Sequence, residues 1–318
     1  MKKILILFGK ESIKNSKPFR GKKYQRCYET LYDLARKHEL DLYRASYEWY
    51  DFKKNIFSHA WTYKKRKWHK VRNLRPHLIY DKAETTPETD YFRENIVRKY
   101  KILNNIEFTF LAGHKLFSSL LFPEYTKKCY LAINNKNLQK IGKKIRTRLI
   151  VLKPAIGSGG RNIKIMPKRN ISRLDIKEEK LAQEFIDSAY GIEGIVSGLH
   201  DLRLVFVNNN LIYSYVRVPS KGSYLANLAQ GGSMFIVKRK NLPNTVFPLI
   251  KRVQRTFEVF KRKIYTIDLM FDKSQKPWIV ELNTMPGIYF SPDQKKWQSR
   301  FYLELIKIFK EEIEEMQD

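Results

Sequence analysis

Cysteine is nearly absent: Cys27 and Cys129 are the only two in 318 residues. They show no paired spacing, which argues against both a disulfide framework and thiolate zinc ligation. The six histidines are scattered without a metal-ligand spacing, so none is a candidate catalyst. No apolar run reaches membrane-spanning length, and the segment from Met1 to Gly9 is too short for a signal sequence and reads as a first buried strand. The chain is therefore expected to be cytoplasmic, without a membrane span. Neither a dinucleotide glycine fingerprint nor a Walker loop with Gly-Lys-Ser/Thr occurs. Acidic residues are scarce too: 32 Asp and Glu stand against 62 Lys and Arg, a formal +30. Such a field attracts anions, pointing to nucleotides, nucleic acid, an anionic surface or an acidic peptide. A biased base composition would give the same balance. With 43% hydrophobic residues the chain reads as globular, with two or three compact domains.

What is present centres on two alternating runs, Tyr265 to Asp272 and Pro277 to Asn283, joined by a polar turn. Alternation puts Ile267, Leu269, Phe271, Trp278, Val280 and Leu282 on one apolar face and Asp268, Glu281 and Asn283 on the other. If Asp272 faces Pro277, Asp268 faces Glu281, with Cβ atoms about 5 Å apart. Two facing carboxylates need a proton or a cation between them. Oxygen-only ligands of this kind suit Mg²⁺, which keeps positions for phosphates; a merely solvated face is the plain alternative.

Before this hairpin the chain carries other signals. Residues 2 to 8 and 76 to 80 read as buried strands and Tyr24 to His38 as a helix, suggesting a small parallel α/β domain. The densest basic cluster, Trp61 to Arg72, mixes aromatics with cations; it suits phosphate and base binding or a solvated β-hairpin or loop. A strand ending at Lys153 leads into Gly157-Ser158-Gly159-Gly160, whose backbone N–H groups could approach phosphate while Lys153 supplies charge. Residues 181 to 187 form a short strand suited to edging an adenine. A hairpin with a three-asparagine turn sets Asp201 opposite Arg217 and Arg203 opposite Tyr215, leaving Arg203 without an ion-pair partner and available to an anion. Val246, Ile250, Val253, Phe257 and Phe260 form one helix face, expected to pack beneath the acidic hairpin. A last helix runs from about Trp297 to Met316.

These segments, in this order, resemble the ATP-grasp superfamily, in the branch of glutathione synthetase and the RimK-like ribosomal-protein glutamate ligase. The resemblance covers roughly residues 109 to 290 and rests on His114 to Ser118, Leu152 to Gly160, Gln183 to Ile186, Asp201 to Arg203, Arg217 to Pro219, Asn227 to Gly232, Ile267-Asp268, and Glu281 to Asn283 with Pro286-Gly287. It implies an α/β (α+β) ATP-grasp fold: an N-terminal parallel α/β domain at 1–108, a central subdomain at 109–183 and a C-terminal subdomain at 184–318. By the same resemblance, Lys115 and Lys153 hold ATP phosphates beneath the loop Gly157, Ser158, Gly159 and Gly160. Gln183, Glu184, Phe185 and Ile186 form the adenine hinge, with Asp201 in the nucleotide set. Asp268, Glu281 and Asn283 bind two Mg²⁺ ions, Mn²⁺ being a substitute, and Arg203, Arg217 and Asn227 are catalytic.

The implied activity is an ATP-dependent carboxylate–amine ligase acting through an acyl phosphate on an amino acid or peptide, as a homo-oligomer. A kinase phosphorylating a hydroxyl, and a non-catalytic basic module for nucleic acid, are the competing readings. The amino-terminal third matches the family only in its α/β pattern, so the resemblance bears on reaction type more than on substrate.

Overall fold

The computed structural model describes all residues except Ile13, Ser16, Ser158, Lys221, 225–231 and 316–318. The described residues fall into two compact units: residues 1–106, 262–264 and 285–318, and residues 107–261 with 265–284.

The first unit is built on β1 (Lys2–Phe8), α1 (Lys22–Lys37), β2 (Leu40–Ser46), β3 (Tyr50–Asp51), β4 (Ile56–Lys64), β5 (Lys67–Leu74), β6 (Leu78–Asp81), α2 (Pro87–Ile96) and β7 (Lys101–Leu103). Four neighbouring strands, β2-β1-β6-β7, are parallel. Ile4 to Leu7 are almost wholly buried, as an unbroken apolar run in a parallel strand requires. The helix face Cys27, Tyr28, Leu31, Tyr32 and Ala35 is buried as its spacing predicts. Beyond β2 the sheet turns antiparallel through β4, with β3 and β5 paired to it. The basic cluster is thus the β4–β5 hairpin, with Trp61 and Tyr63 buried and Lys67, His69, Lys70 and Arg72 exposed.

The second unit holds α3 (Ile106–Gly113), α4 (Lys115–Leu121), β8 (Cys129–Ala132), α5 (Asn135–Lys144), β9 (Leu149–Lys153), β10 (Lys164–Pro167) and β11 (Lys180–Glu184). It continues with β12 (Asp201–Val207), β13 (Asn210–Val218), β14 (Ser233–Val237), α6 (Val246–Thr256), β15 (Ile264–Phe271) and β16 (Pro277–Asn283). One sheet has the order β10-β9-β11-β8 and the other β14-β13-β12-β15-β16. Val246, Ile250, Val253 and Phe257 pack in one core with Ile267, Leu269, Phe271, Ile279 and Leu282, so the helix lies against the hairpin as its pattern predicts.

The last helix, α7 (Lys295–Glu314), belongs by its contacts to the first unit, whereas the sequence division grouped it with 184–318. Its Tyr302 hydroxyl donates to the carbonyls of Cys27 and Ile288, and its Phe309 ring meets Tyr80.

Candidate active site

The β15–β16 hairpin keeps the predicted pairing at the position that matters and departs from it elsewhere. Phe271, not Asp272, faces Pro277, and a bulge between Asp268 and Leu269 restores the pairing of Asp268 with Glu281. One extra residue on a strand reverses alternation locally. Ile279 is therefore buried at 1% exposure, and Trp278 and Val280, expected on the apolar face, are only half-buried. The β12–β13 hairpin shows the same compensation. Val207 faces Asn210 across a two-residue turn, and a shift at Val205/Phe206 leaves Asp201 opposite Arg217 and Arg203 opposite Tyr215.

Strands β12 and β15 are neighbours, and this brings the charged faces of the two hairpins together. Arg203 grips Asp268 with two nitrogens, Nε donating to Oδ1 at 2.6 Å. Arg217 donates through Nη2 to Asp201 and, at 2.7 Å, to Asp268 Oδ2. Arg203 was expected to lack an ion-pair partner; it does not, because Asp268 reaches it from a strand 65 residues away. Nη2 of Arg203 also lies 3.8 Å from Glu281 Oε1, so the two facing carboxylates converge on one guanidinium.

Burial alone would raise the Asp268 carboxyl, but Arg203 and then Arg217 hold it below the usual carboxylate range. Asp201 goes the other way: burial pushes it up to about 7, Arg217 opposing. Its Oδ1 and the Nε of Arg217 are buried without a hydrogen-bond partner, so the network has unused capacity for a polar group.

Lys115 and Lys153 sit beside this network. Lys115, 8% exposed at the start of α4, donates through Nζ to the Gly157 carbonyl at 2.6 Å and lies 3.5 Å from Glu281 Oε2. Lys153, 4% exposed at the end of β9, donates to the Val280 carbonyl at 3.3 Å. Burial pushes its ammonium down to about 8. The bulge residue thus supplies an acceptor that no side-chain pattern could reveal. In the glycine segment Gly157, Gly159 and Gly160 take φ of 130°, 71° and 70°, a region open chiefly to glycine; Ser158 lies outside the described residues.

Residues Gln183 to Ile186 are ordered by short contacts. Gln183 donates to the Lys127 carbonyl at 3.2 Å, Glu184 Oε1 accepts from the Arg146 amide at 3.0 Å, and the Phe185 amide donates to Thr147 Oγ1 at 3.1 Å. Phe185 meets Tyr224 edge to face, and Ile186 is buried. The side chain of Glu184 is thereby committed to the backbone of residue 146. Asn227 lies outside the described residues.

Asp268, Glu281 and Asn283 match a hard divalent cation in donor chemistry, since all three offer oxygen and Asp268 and Glu281 face across the ladder while Asn283 faces Thr266. Among the described residues no group of three or more His, Cys, Asp or Glu could hold a metal ion.

Residues 114–256 match the family described as prokaryotic glutathione synthetase, ATP-grasp domain. Solved structures resemble the chain over almost all its length. D-alanyl-alanine synthetase A from Vibrio cholerae covers 98% of each chain at 13% identity and TM-score 0.67. A RimK domain ATP-grasp protein from Sphaerobacter thermophilus covers 96% of this chain and 99% of its own, at 11% and 0.60. A RiPP-associated ATP-grasp ligase from Chryseobacterium gregarium, solved with ADP and a leader and core peptide, covers 96% and 97%, at 12% and 0.59. A search of curated proteins finds no sequence match.

The chain thus has the fold of these ATP-grasp structures, and its residues 114–256 match the ATP-grasp model of the glutathione synthetases. No helix among the described residues is long and apolar enough to cross a membrane.

Proposed function

We propose that the protein is an ATP-dependent carboxylate–amine ligase, forming an amide through an acyl phosphate with release of ADP and phosphate. One observation carries the reading: Lys115, Lys153 and Arg203 all gather at residues 280 and 281 of the acidic hairpin. A carboxylate approaching a nucleotide's phosphates must overcome repulsion between anions, and fixed cations in a partly dry site do this best.

In this reading Lys115 and Lys153 hold phosphate oxygens, and the loop containing Gly157, Gly159 and Gly160 lies over them. The hinge from Gln183 to Ile186 edges the adenine, and Asp201 orients Arg217. Arg203 and Arg217, with Asn227, steady the acid and the oxyanion that forms when the amine attacks the acyl carbon and phosphate leaves. Asp268, Glu281 and Asn283 would hold Mg²⁺, in one or two ions and replaceable by Mn²⁺, which supplies charge neutralisation on the phosphates. The similar proteins named for amino acid and peptide ligation support an amino acid or peptide as substrate.

The test is ADP release over a panel of amino acids and short peptides offered as paired acids and amines. ADP should form only when both partners are present, with a product mass equal to their sum less one water. Amine-independent ADP formation accompanied by a stable phosphate ester would replace the ligase with a kinase.

A further inference from the structure

In the first unit, the segment that follows β2 and the helix α2 border a second feature, a cavity of about 440 Å³ lined by Tyr47, Tyr50, Phe52, Tyr91 and Phe92, with Pro87, Glu48 and Glu88. Among the described residues no lysine or arginine lines it, in a chain of net charge +30. Three of its rings stand mutually crosswise: Tyr50 lies at 87° to Phe52 and 88° to Phe92, and Phe52 at 73° to Phe92, with centroids 4.9 to 6.1 Å apart. They make the corner of a box. Phe52 is 50% exposed and Tyr91 66%, so two large rings are left facing solvent.

The wall is assembled for a reason visible in the sequence. Glu88, Tyr91 and Phe92 share one face of α2 at spacings of three and four. That helix is held by a capping box between Thr86 and Thr89 and by Pro87 at its start.

The two carboxylates already attract an ammonium. Lys10, a highly exposed side chain, reaches Glu48 Oε1 at 3.4 Å. The hydrogen bond from Thr86 chiefly holds the Glu88 carboxyl below the usual range, and Lys10 lowers it further. Tyr47, Glu48 and Glu88 also line a larger neighbouring cavity of about 1180 Å³ at the ends of β1, β2 and β6, so the box is a side chamber of a wider cleft.

Aromatic faces with nearby carboxylates favour a soft organic cation over a neutral group of the same shape, and here the exposed Lys10 is a cation with which it competes. We propose that this aromatic box binds an organic ammonium group, the rest of whose molecule extends into the larger cavity, with Lys10 as the internal cation it displaces. The inference does not rest on the ligase reading, because binding is measured without nucleotide.

The test uses the full chain and two probes of one shape, choline and its neutral analogue 3,3-dimethylbutan-1-ol, titrated by ligand-observed NMR and tyrosine fluorescence at matched ionic strength. Choline should bind at least about tenfold more tightly than the alcohol. Glu48→Gln with Glu88→Gln should remove most of that preference. Phe52→Leu and Tyr91→Leu, at exposed positions that leave the core intact, should weaken choline several-fold. Lys10→Ala should tighten it. Equal binding of the two probes would overturn the proposal in favour of a plain apolar pocket. Failure of choline to bind, or weaker choline binding in Lys10→Ala, would also overturn it.

Discussion

In the second unit the arginines and carboxylates of the charged network stand on strands; in the first unit the carboxylates beside the aromatic box stand on a 3-10 turn and a helix. Asp201, Arg203, Arg217, Asp268 and Glu281 all project from ladder positions whose sides are set by the pleat. Tyr47, Glu48, Glu88 and Tyr91 come from a short 3-10 turn and the first turns of a helix. The ladder tolerates error, since each hairpin has a turn different from the simplest expectation and a bulge that restores the functional pair. The first unit has no such correction, and its geometry depends on loop paths that nothing local dictates.

The largest expected effect bears on the strand-borne site. Glu281→Ala, at a half-buried position facing Lys115 and Arg203, should lower ADP formation by about 100-fold or more without loss of thermal stability. Turnover within a few-fold of wild type would break the idea that register alone places the machinery. Next in size is the network's own stability. Arg203→Met leaves the buried Asp268 with Arg217 and the Thr266 hydroxyl but without its bidentate partner, which should cost about 3 kcal/mol in urea unfolding. Adding Asp268→Asn should return part of that, because the neutral amide no longer needs two guanidiniums. Losses that simply add, within about 0.5 kcal/mol, would show that these residues do not act as a unit.

How much was legible follows the same division. Alternation identified the strands of both hairpins and placed Asp268 across from Glu281 and Asp201 across from Arg217, because a side-chain period of two survives a wrong turn length when a bulge compensates. It could not show that Asp268 belongs to Arg203, since that requires β12 beside β15, a neighbour relation between strands far apart in sequence. Nor could it find the Val280 carbonyl that receives Lys153, since every residue has a carbonyl. Of the aromatic box, local spacing sets only Glu88, Tyr91 and Phe92 on one helix face; their meeting with residues 47 to 52 is a long-range relation that no window contains. The basic cluster was legible as a hairpin, and its buried Trp61 and Tyr63 explain its aromatic content by packing.

A smaller effect probes the first unit's loop-borne charge. Lys82, on the segment after β6, donates to the Pro286 carbonyl at 2.6 Å, and burial pushes its ammonium down to about 8 against a partial counter-pull from Asp81. An unfolded lysine titrates near 10.5, so between these values the unfolded chain binds the extra proton and stability rises with pH. Below pH 8 both states carry the proton and the cost of burying it is constant. Wild type should therefore gain about 2 kcal/mol on Lys82→Met between pH 7 and pH 9.5, read as the difference between paired urea titrations. A flat difference would mean that this loop solvates its charge in the folded protein.

The smallest effect tests a locally specified piece of the first unit. The turn of the β4–β5 hairpin places Lys65 and Arg66 at φ of 50° and 61°, a left-handed pair that asparagine followed by glycine adopts with least strain. The β12–β13 turn in the second unit puts an asparagine, Asn208, at φ 54°. Replacing Lys65-Arg66 with Asn-Gly should stabilise the hairpin by about 1 kcal/mol and raise the melting temperature by about 2–4 °C, leaving ADP formation and choline binding unchanged. Stabilisation alone would confirm that the two cations are kept at a strained turn without contributing to either site. Loss of either activity with stability gained would mean that the strain is tolerated for what the charges do, and the hairpin tip would then join the functional surface of a chain whose excess positive charge otherwise has several explanations.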